Sequence, residues 1–427
     1  MTITYIGNFI DFLEFGLFTA LLPFISKDLL GCYDPHIRAE FCYLAVFAGF
    51  LGRPVGAFVL GKFGDIYGSQ RLLVFSVLGI SGASMILAFL PSNNYYVIEM
   101  IILCRFLQGL FTGAEYSAVV VSATQTDSVR SSYRSVAVMT ASGVLGVSIA
   151  QLIAFFLSIL QVENSSWRYA FILVSLIGFA TFLKRAWSYK KDWHTPTMQR
   201  ESIPLRNYIP EIFSCIILVG LVNAMFYLVN TFVNTYKMIL SSNLATSQFL
   251  LNFIATSFFA FSIWLWSLYL TTKNHQPFKM LQYGIFSMLL LLGPLFYAYA
   301  EGAPLWLSVI IQVAFLSGIQ LFTVVGISFV PRLFPTSIRI QACGLGFNLG
   351  ISLLGGGFPY LSLKLTEKTG SLYAPAFAAL LVIGVAYLSL KALSMRYPEM
   401  LGIRCAPSED STIANKPLEK TLQRGYN

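Results

Sequence analysis

Residues 41–61, FCYLAVFAGFLGRPVGAFVLG, and residues 72–90, LLVFSVLGISGASMILAFL, are two apolar runs that carry between them one charge, Arg53. A helix rising about 1.5 Å per residue needs about 20 residues to cross about 30 Å of hydrocarbon, so each run is long enough to span a bilayer. Similar runs recur on both sides. They predict helices over 3–26, 96–124, 136–160 and 168–186, then over 209–236, 248–271, 280–300, 304–330, 340–363 and 372–393. The fold expected is an all-α membrane protein with twelve transmembrane helices in two six-helix bundles. Transmembrane strands need only about 9–11 alternating residues, a pattern these runs lack, which excludes a barrel.

Composition agrees: 56% of the 427 residues are hydrophobic and 11% charged, against about 25% charged in soluble domains. The net charge of +9 does not indicate nucleic acid, because no soluble basic patch accompanies it. Cysteines 32, 42, 104, 215, 343 and 405 show no short paired spacing and read as small buried hydrophobes, with no metal site. The first apolar run lacks a basic leader and contains Asp11 and Glu14, so it reads as a first span rather than a cleaved signal peptide.

The longest internal polar stretch, 187–208, divides the chain into an N-terminal bundle (1–186) and a C-terminal bundle (209–393), with a polar tail from 394 to 427. Two equal sets of spans are the layout of a duplicated transporter. Basic loops are retained in the cytoplasm. With both termini inside, the cytoplasmic segments hold 20 Lys and Arg, against six outside: Lys27, Arg38, Arg168, Lys237, Lys364 and Lys368. The chain is therefore expected in the plasma (inner) membrane, multi-pass, with both termini cytoplasmic and the lipid bilayer as a partner.

Five charged residues fall deep within spans, away from their ends: Asp11, Glu14, Arg53, Arg105 and Glu115. Each costs about 2.5–3.5 kcal/mol or more at the bilayer centre unless it faces a partner or a wet cavity. Glu14 lies roughly 15 Å above the inner end of its helix and Arg105 roughly 14 Å below the outer end of its own, so the two can meet near the midplane. Asp11 and Glu14, at i and i+3, share a helix face. A carboxyl pair facing an arginine suits proton coupling, and His36, His194 and His275 all fall outside the predicted helices. The competing reading is a static ion cluster joining two helices.

The run Gly61-Lys-Phe-Gly-Asp65-Ile-Tyr-Gly68-Ser-Gln-Arg71 resembles the loop between helices two and three of the major facilitator superfamily, although Ile66, Ser69 and Gln70 stand where that family has basic residues. Arg105-Phe-Leu-Gln-Gly109-Leu-Phe-Thr-Gly113-Ala-Glu115-Tyr116 resembles its fourth-helix motif. Together with Gly7-Asn8, Asp11-Phe-Leu-Glu14-Phe15, Arg53-Pro54-Val-Gly56, Phe334-Pro335-Thr336 through Arg339, and Phe347-Asn348-Leu-Gly350, it is similar to the metabolite:proton symporter family of proline/betaine, citrate, oxoglutarate and shikimate carriers. The resemblance implies a gating role for Gly61, Asp65, Gly68 and Arg71. Arg53, Glu115 and Arg339 are assigned to gating as well, Glu115 because it lies roughly 28 Å from the outer end of its helix, within reach of Arg53 or the Asp65 loop. Arg332 replaces the family's usual glutamate, and no second-half counterpart of the glycine-aspartate loop is visible near 271–279.

A polar solute also needs polar side chains to orient it. Asn223, Tyr227, Asn230 and Asn234 are spaced along one helical stripe, and Asn348, Gln151 and Arg105 complete the candidate substrate contacts, against the alternative of amides joining helices. No phosphate loop with a following lysine is present and no nucleophile with a partner stands in the spans, so neither a nucleotide motor nor an enzyme is expected. The expectation is a proton-coupled symporter of a small polar solute, zwitterion or carboxylate. It needs no cofactor, acts as a monomer and moves solute and proton by alternating access. The alternatives are an exporter or antiporter, including one for a larger metabolite such as a siderophore, and a non-transporting receptor on the same fold.

Overall fold

The structure, a computed structural model, describes residues 2–67, 69–92, 96–124, 129–160, 164–189, 204–241, 246–272, 275–335 and 338–401. In chain order the α-helices are α1 (Thr2–Ala20), α2 (Leu22–Leu29), α3 (Pro35–Tyr67), α4 (Ser69–Ala88), α5 (Val97–Thr124), α6 (Val129–Ile159), α7 (Trp167–Tyr189), α8 (Ile209–Tyr227), α9 (Asn234–Ser241), α10 (Thr246–Thr272), α11 (Pro277–Glu301), α12 (Leu305–Phe329), α13 (Arg339–Gly350), α14 (Gly357–Thr369) and α15 (Ala374–Arg396). Among the described residues, nine helical stretches are long and apolar enough to cross a membrane, and α1 with α2 makes a tenth. Twelve spans are reached with α5 and the α13–α14 pair. We call the face where α1 begins and α15 ends the lower face, and the opposite one the upper.

Three spans differ from the straight helices expected. The first bends by 57° between α1 and α2, where Pro23 in the first turn of α2 has no N–H to continue the ladder. The seventh and eleventh are interrupted by π-helical turns, Leu228–Val233 and Ile351–Gly356. Both π turns close around Phe50 of α3. Ser352 Oγ donates to the Phe50 carbonyl at 2.5 Å, Tyr227 packs edge-on to the Phe50 ring, and a Cβ on Gly356 would overlap that ring.

Spans also run past their expected ends. α3 continues to Tyr67, so Gly61 and Asp65 stand in its last turns rather than in a loop. The side chains of residues 61–67 and all of Gly68 lie outside the described residues. α7 reaches Tyr189 and α6 starts at Val129. Residues 190–203 of the inter-bundle stretch and 402–427 of the tail also lie outside the described residues.

Helices in a bilayer gain little from the hydrophobic effect when they meet, so close packing through small residues decides which pairs touch. α3 and α5 approach to backbone contact. A Cβ on Gly52 would strike the Phe106 carbonyl, one on Gly56 the Leu110 carbonyl, one on Gly109 the Gly49 carbonyl and one on Gly113 the Arg53 carbonyl. This ladder brings Arg53 and Arg105 to a common centre. Of the five described cysteines, four are buried as expected, while Cys32 is exposed.

Candidate functional site

The glycine ladder between α3 and α5 brings two guanidiniums, Arg53 and Arg105, against the Phe15 ring of α1, which also meets Phe50 and Tyr227. The Arg105 guanidinium carbon lies 4.4 Å from that ring and 4.2 Å from Phe18. The Arg53 guanidinium lies 4.8 Å from Phe15 on α1 and 5.1 Å from Phe50. Arg105 Nη1 donates to Gln108 Oε1 at 2.7 Å, and Gln108 Nε2 to Ser84 Oγ at 2.5 Å. Glu14 is buried beside the Ser84 hydroxyl and within electrostatic reach of Arg105, but it forms no ion pair with Arg105, and neither carboxyl oxygen lies within close hydrogen-bond distance of a donor. Asp11 is buried within electrostatic reach of Glu115, Arg185, Glu14 and Arg53.

Glu115 has a different partner from either one expected. Its Oε1 accepts from Arg185 Nη2 of α7 at 2.9 Å, with both side chains 1% exposed, and Arg185 Nη1 also donates to the Leu73 carbonyl at 3.0 Å. Arg185, which falls among the cytoplasmic basic residues by position, is pulled inward because a buried carboxylate left alone is far costlier than the pair. Gly7 clears its path, since a Cβ there would overlap the guanidinium. The centre thus holds three carboxyls, Asp11, Glu14 and Glu115, and three guanidiniums, Arg53, Arg105 and Arg185, all at most 7% exposed.

Below this centre a cavity of about 760 Å³, its mouth included, lies between the two sets of spans and extends down to Val330 at the lower end of α12. Asn8 and Phe12 of α1, Tyr116 of α5 and Thr140 of α6 face Asn223 and Tyr227 of α8, Phe259 of α10, and Gln320 and Thr323 of α12 across it. Among the described residues, no charged side chain lines it. Gln320 is fully buried with neither amide atom partnered, an arrangement that a polar ligand would relieve. Asn8 Nδ2 donates to the Met139 carbonyl at 2.9 Å and to Ser142 Oγ at 3.1 Å.

Of the expected substrate contacts, Asn223 and Tyr227 line the cavity, while Arg105, Asn230, Gln151 and Asn348 do not. The π turn breaks the stripe on the seventh span. Asn230 Nδ2 turns back to the Phe226 carbonyl at 3.1 Å, and Asn234 belongs to a separate amide cluster. Asn348 Nδ2 joins the two sets of spans by donating to the Gly113 carbonyl at 3.1 Å. Gln151 is fully buried in α6 with both amide atoms unpartnered. At the lower face Arg71 is half-buried in the first turn of α4, and Arg339 Nε donates to the Phe334 carbonyl at 3.1 Å. Sequence reasoning missed Gln320 and Arg185. Two glutamines, Gln312 and Gln320, in the largely apolar run 305–329 were the available signal for the first; nothing local marked the second.

Above the cavity the two sets of spans touch. Tyr43 Oη bonds Thr235 Oγ1 at 2.9 Å, and nearer the upper face Lys364 Nζ pairs with Glu40 at 2.6 Å and with Glu367 at 3.4 Å. Tyr360 stacks on Phe47.

Comparison with known proteins agrees with this architecture. The model of the Major Facilitator Superfamily matches residues 4–359. A putative proline/betaine transporter of Staphylococcus haemolyticus (strain JCSC1435) is 29% identical, the match covering 93% of this chain and 89% of that protein. The proline/betaine transporter of Escherichia coli (strain K12) is 24% identical over 90% and 80% of the two chains. Among solved structures, the proton:xylose symporter XylE bound to 6-bromo-6-deoxy-D-glucose shares the fold at a TM-score of 0.67 and 14% identity, covering 93% of this chain and 95% of that one. A multi-pass membrane protein with two facing sets of spans, a charge centre in the first and a cavity between them, this chain belongs to the Major Facilitator Superfamily.

Proposed function

We propose that the protein is a proton-coupled symporter that takes up a small zwitterion of the proline or betaine kind across the plasma membrane. The observation that carries this reading is the sharing of helices. α1 supplies Asn8 and Phe12 to the cavity and Asp11 and Glu14 to the charge centre, while α5 supplies Tyr116 to one and Arg105 and Glu115 to the other. A proton taken at the centre and a solute held in the cavity therefore bear on the same two helices. The relatives' names, proline/betaine transporter, point to a net-neutral solute, which fits a lining without charge. The aromatic faces of Phe12, Tyr116, Tyr227 and Phe259 suit an ammonium group, and the amides of Asn223 and Gln320 suit a carboxylate.

In this reading both termini are cytoplasmic, so the lower face is the cytoplasmic one and the conformation described is inward-facing. Residues 1–186 and 209–393 rock as two bodies about the central seal, with 187–208 as their link and the tail 394–427 beside the membrane. The working unit is the monomer, because one chain builds the whole cavity. Glu14, with only the Ser84 hydroxyl beside it and no ion pair to break, takes the proton. Arg105 then responds through the change in its field, and Asp11 passes that change to the Glu115–Arg185 pair.

The test is proteoliposomes with a trapped pH dye, given L-proline and glycine betaine in turn. The expected result is acidification inside during uptake, lost in Glu14→Gln. Radiolabelled uptake that moves no protons would overturn the coupling, and a wild-type protein that carries neither solute would overturn the substrate assignment.

A further inference from the structure

Four amide side chains meet in the second set of spans, away from the cavity. Asn234 Oδ1 of α9 accepts from Gln248 Nε2 of α10 and from Gln312 Nε2 of α12, both at 3.1 Å, and Gln248 Nε2 also reaches Asn252 Oδ1 at 3.3 Å. Asn234, Asn252 and Gln312 are at most 4% exposed. Each of these three uses one end of its amide and leaves the other bare: Asn234 Nδ2, Asn252 Nδ2 and Gln312 Oε1 have no partner. Buried amides that served only to join helices would be expected to satisfy one another. Two bare N–H donors and one bare acceptor, with no charged residue in the cluster, match a carboxylate together with an N–H group.

Position gives the cluster a role. By helical rise it lies roughly 10 Å below the upper face, and Gln312 stands roughly 12 Å above Gln320 along α12. α9 packs on α2 and α3, and α10 on α6, so these contacts are the ones that must part when the upper side opens. The amides stand on α9, α10 and α12, directly behind that contact. We propose that Asn234, Asn252 and Gln312 form an outer docking site, reached when the upper side opens, for a zwitterion bearing both a carboxylate and an N–H donor, which the solute occupies before it passes down to Gln320. This rests on the reading of the protein as an importer of such zwitterions.

The experiment compares Gln312→Met and Asn252→Leu, both close to the native volume, with the full-length wild type. Initial rates are measured over a range of L-proline concentrations, for uptake into cells and for efflux from the inner side of oriented vesicles, with thermal stability of the purified protein alongside. The docking site predicts a KM for L-proline uptake raised about tenfold, the loss of one hydrogen bond. The KM for efflux should stay at the wild-type value, and the melting temperature should fall only slightly, by the one amide hydrogen bond each variant removes. Glycine betaine, which has no N–H, should show a smaller rise in Gln312→Met. An unchanged uptake KM in both folded variants overturns the proposal, as does a KM that rises equally in both directions. A lowered melting temperature with normal uptake kinetics overturns it in favour of a packing role. Should one variant fail to fold, the other decides. A wild-type chain that carries neither solute brings down the importer reading and the docking site together, and is distinguished by the absence of flux before any substitution.

Discussion

The two sets of spans differ in where they keep their polarity. Among the described residues, the first gathers three buried carboxyls and three buried guanidiniums at one centre between α1, α3, α5 and α7, with Arg38 buried separately at the upper end of α3, whereas the second buries one acidic residue, Glu211, at the lower end of α8, where Arg396 and Tyr397 meet it. The interior of the second set is instead furnished with amides and hydroxyls: Asn230, Asn234, Asn252, Gln312, Gln320 and Thr323. A buried charge changes its energy by several kcal/mol when a neighbour gains or loses a proton, while an amide is nearly indifferent to pH. Two halves built alike in helices are thus suited to unlike tasks, proton handling in one and solute orientation in the other.

The sharpest attempt to break that contrast is Glu14→Gln. Removing the free carboxyl should abolish proton-driven accumulation while exchange of labelled for unlabelled solute across the membrane persists, measured by counterflow in proteoliposomes. If concentrative uptake survived, the charge centre would not be the proton site.

Arg105→Ala should follow, with uptake down about a hundredfold through loss of the charge, the Gln108 bond and the stacking on Phe15 and Phe18. Arg105→Lys keeps the charge but loses the planar fork, and should fall about tenfold. Because Arg105 does not line the cavity, both changes should act on the transport rate more than on solute affinity, and a pure affinity defect would move Arg105 into the solute site.

Glu115→Gln tests whether the buried pair is structural. Removing the carboxylate charge that Arg185 Nη2 meets in a dry interior should cost about 3 kcal/mol, read as a lowered melting temperature, and Glu115→Gln combined with Arg185→Met should recover most of it. A single variant as stable as the wild type would mean the pair is not held together in the membrane.

On the other side of the comparison, Gln320→Leu should raise the solute KM about tenfold, as one lost hydrogen bond would, without lowering stability, since neither amide atom has a protein partner to lose. The smallest effect belongs to the upper seal. Lys364 and Glu40 are 38% and 39% exposed, so Lys364→Ala should move the balance between conformations by about 0.5 kcal/mol, or about twofold, read from spin-label distances across the upper face.

Much of this was legible in the chain. The mid-membrane level of Glu14 and Arg105 followed from counting residues along two helices, and Gly109 and Gly113 stand at the four-residue interval that close packing uses. What could not be read were contacts set by a third helix. Glu115 looked toward Arg53 or the Asp65 loop, yet it meets Arg185, because Gly7 on α1 leaves room for a guanidinium arriving from α7. Asn223, Tyr227, Asn230 and Asn234 fell on one stripe of an ideal helix, yet the π turn at Leu228–Val233 sends the first two to the cavity and the others away from it.

The sequence by itself determined that this chain crosses the membrane repeatedly as helices, that charge deep within the spans is confined to its first half, and that its motifs are those of the Major Facilitator Superfamily. Those properties follow from local run length, the cost of burying charge and short-range spacing, and none depends on which helices become neighbours. Only the tertiary structure decided that the Glu14 carboxyl stands without an ion pair, that Arg185 turns inward and that Gln320 and the upper amide cluster are left with bare polar atoms. Each of those depends on how three or more helices converge, and the glycines and π turns that set the convergence act between segments far apart in the chain.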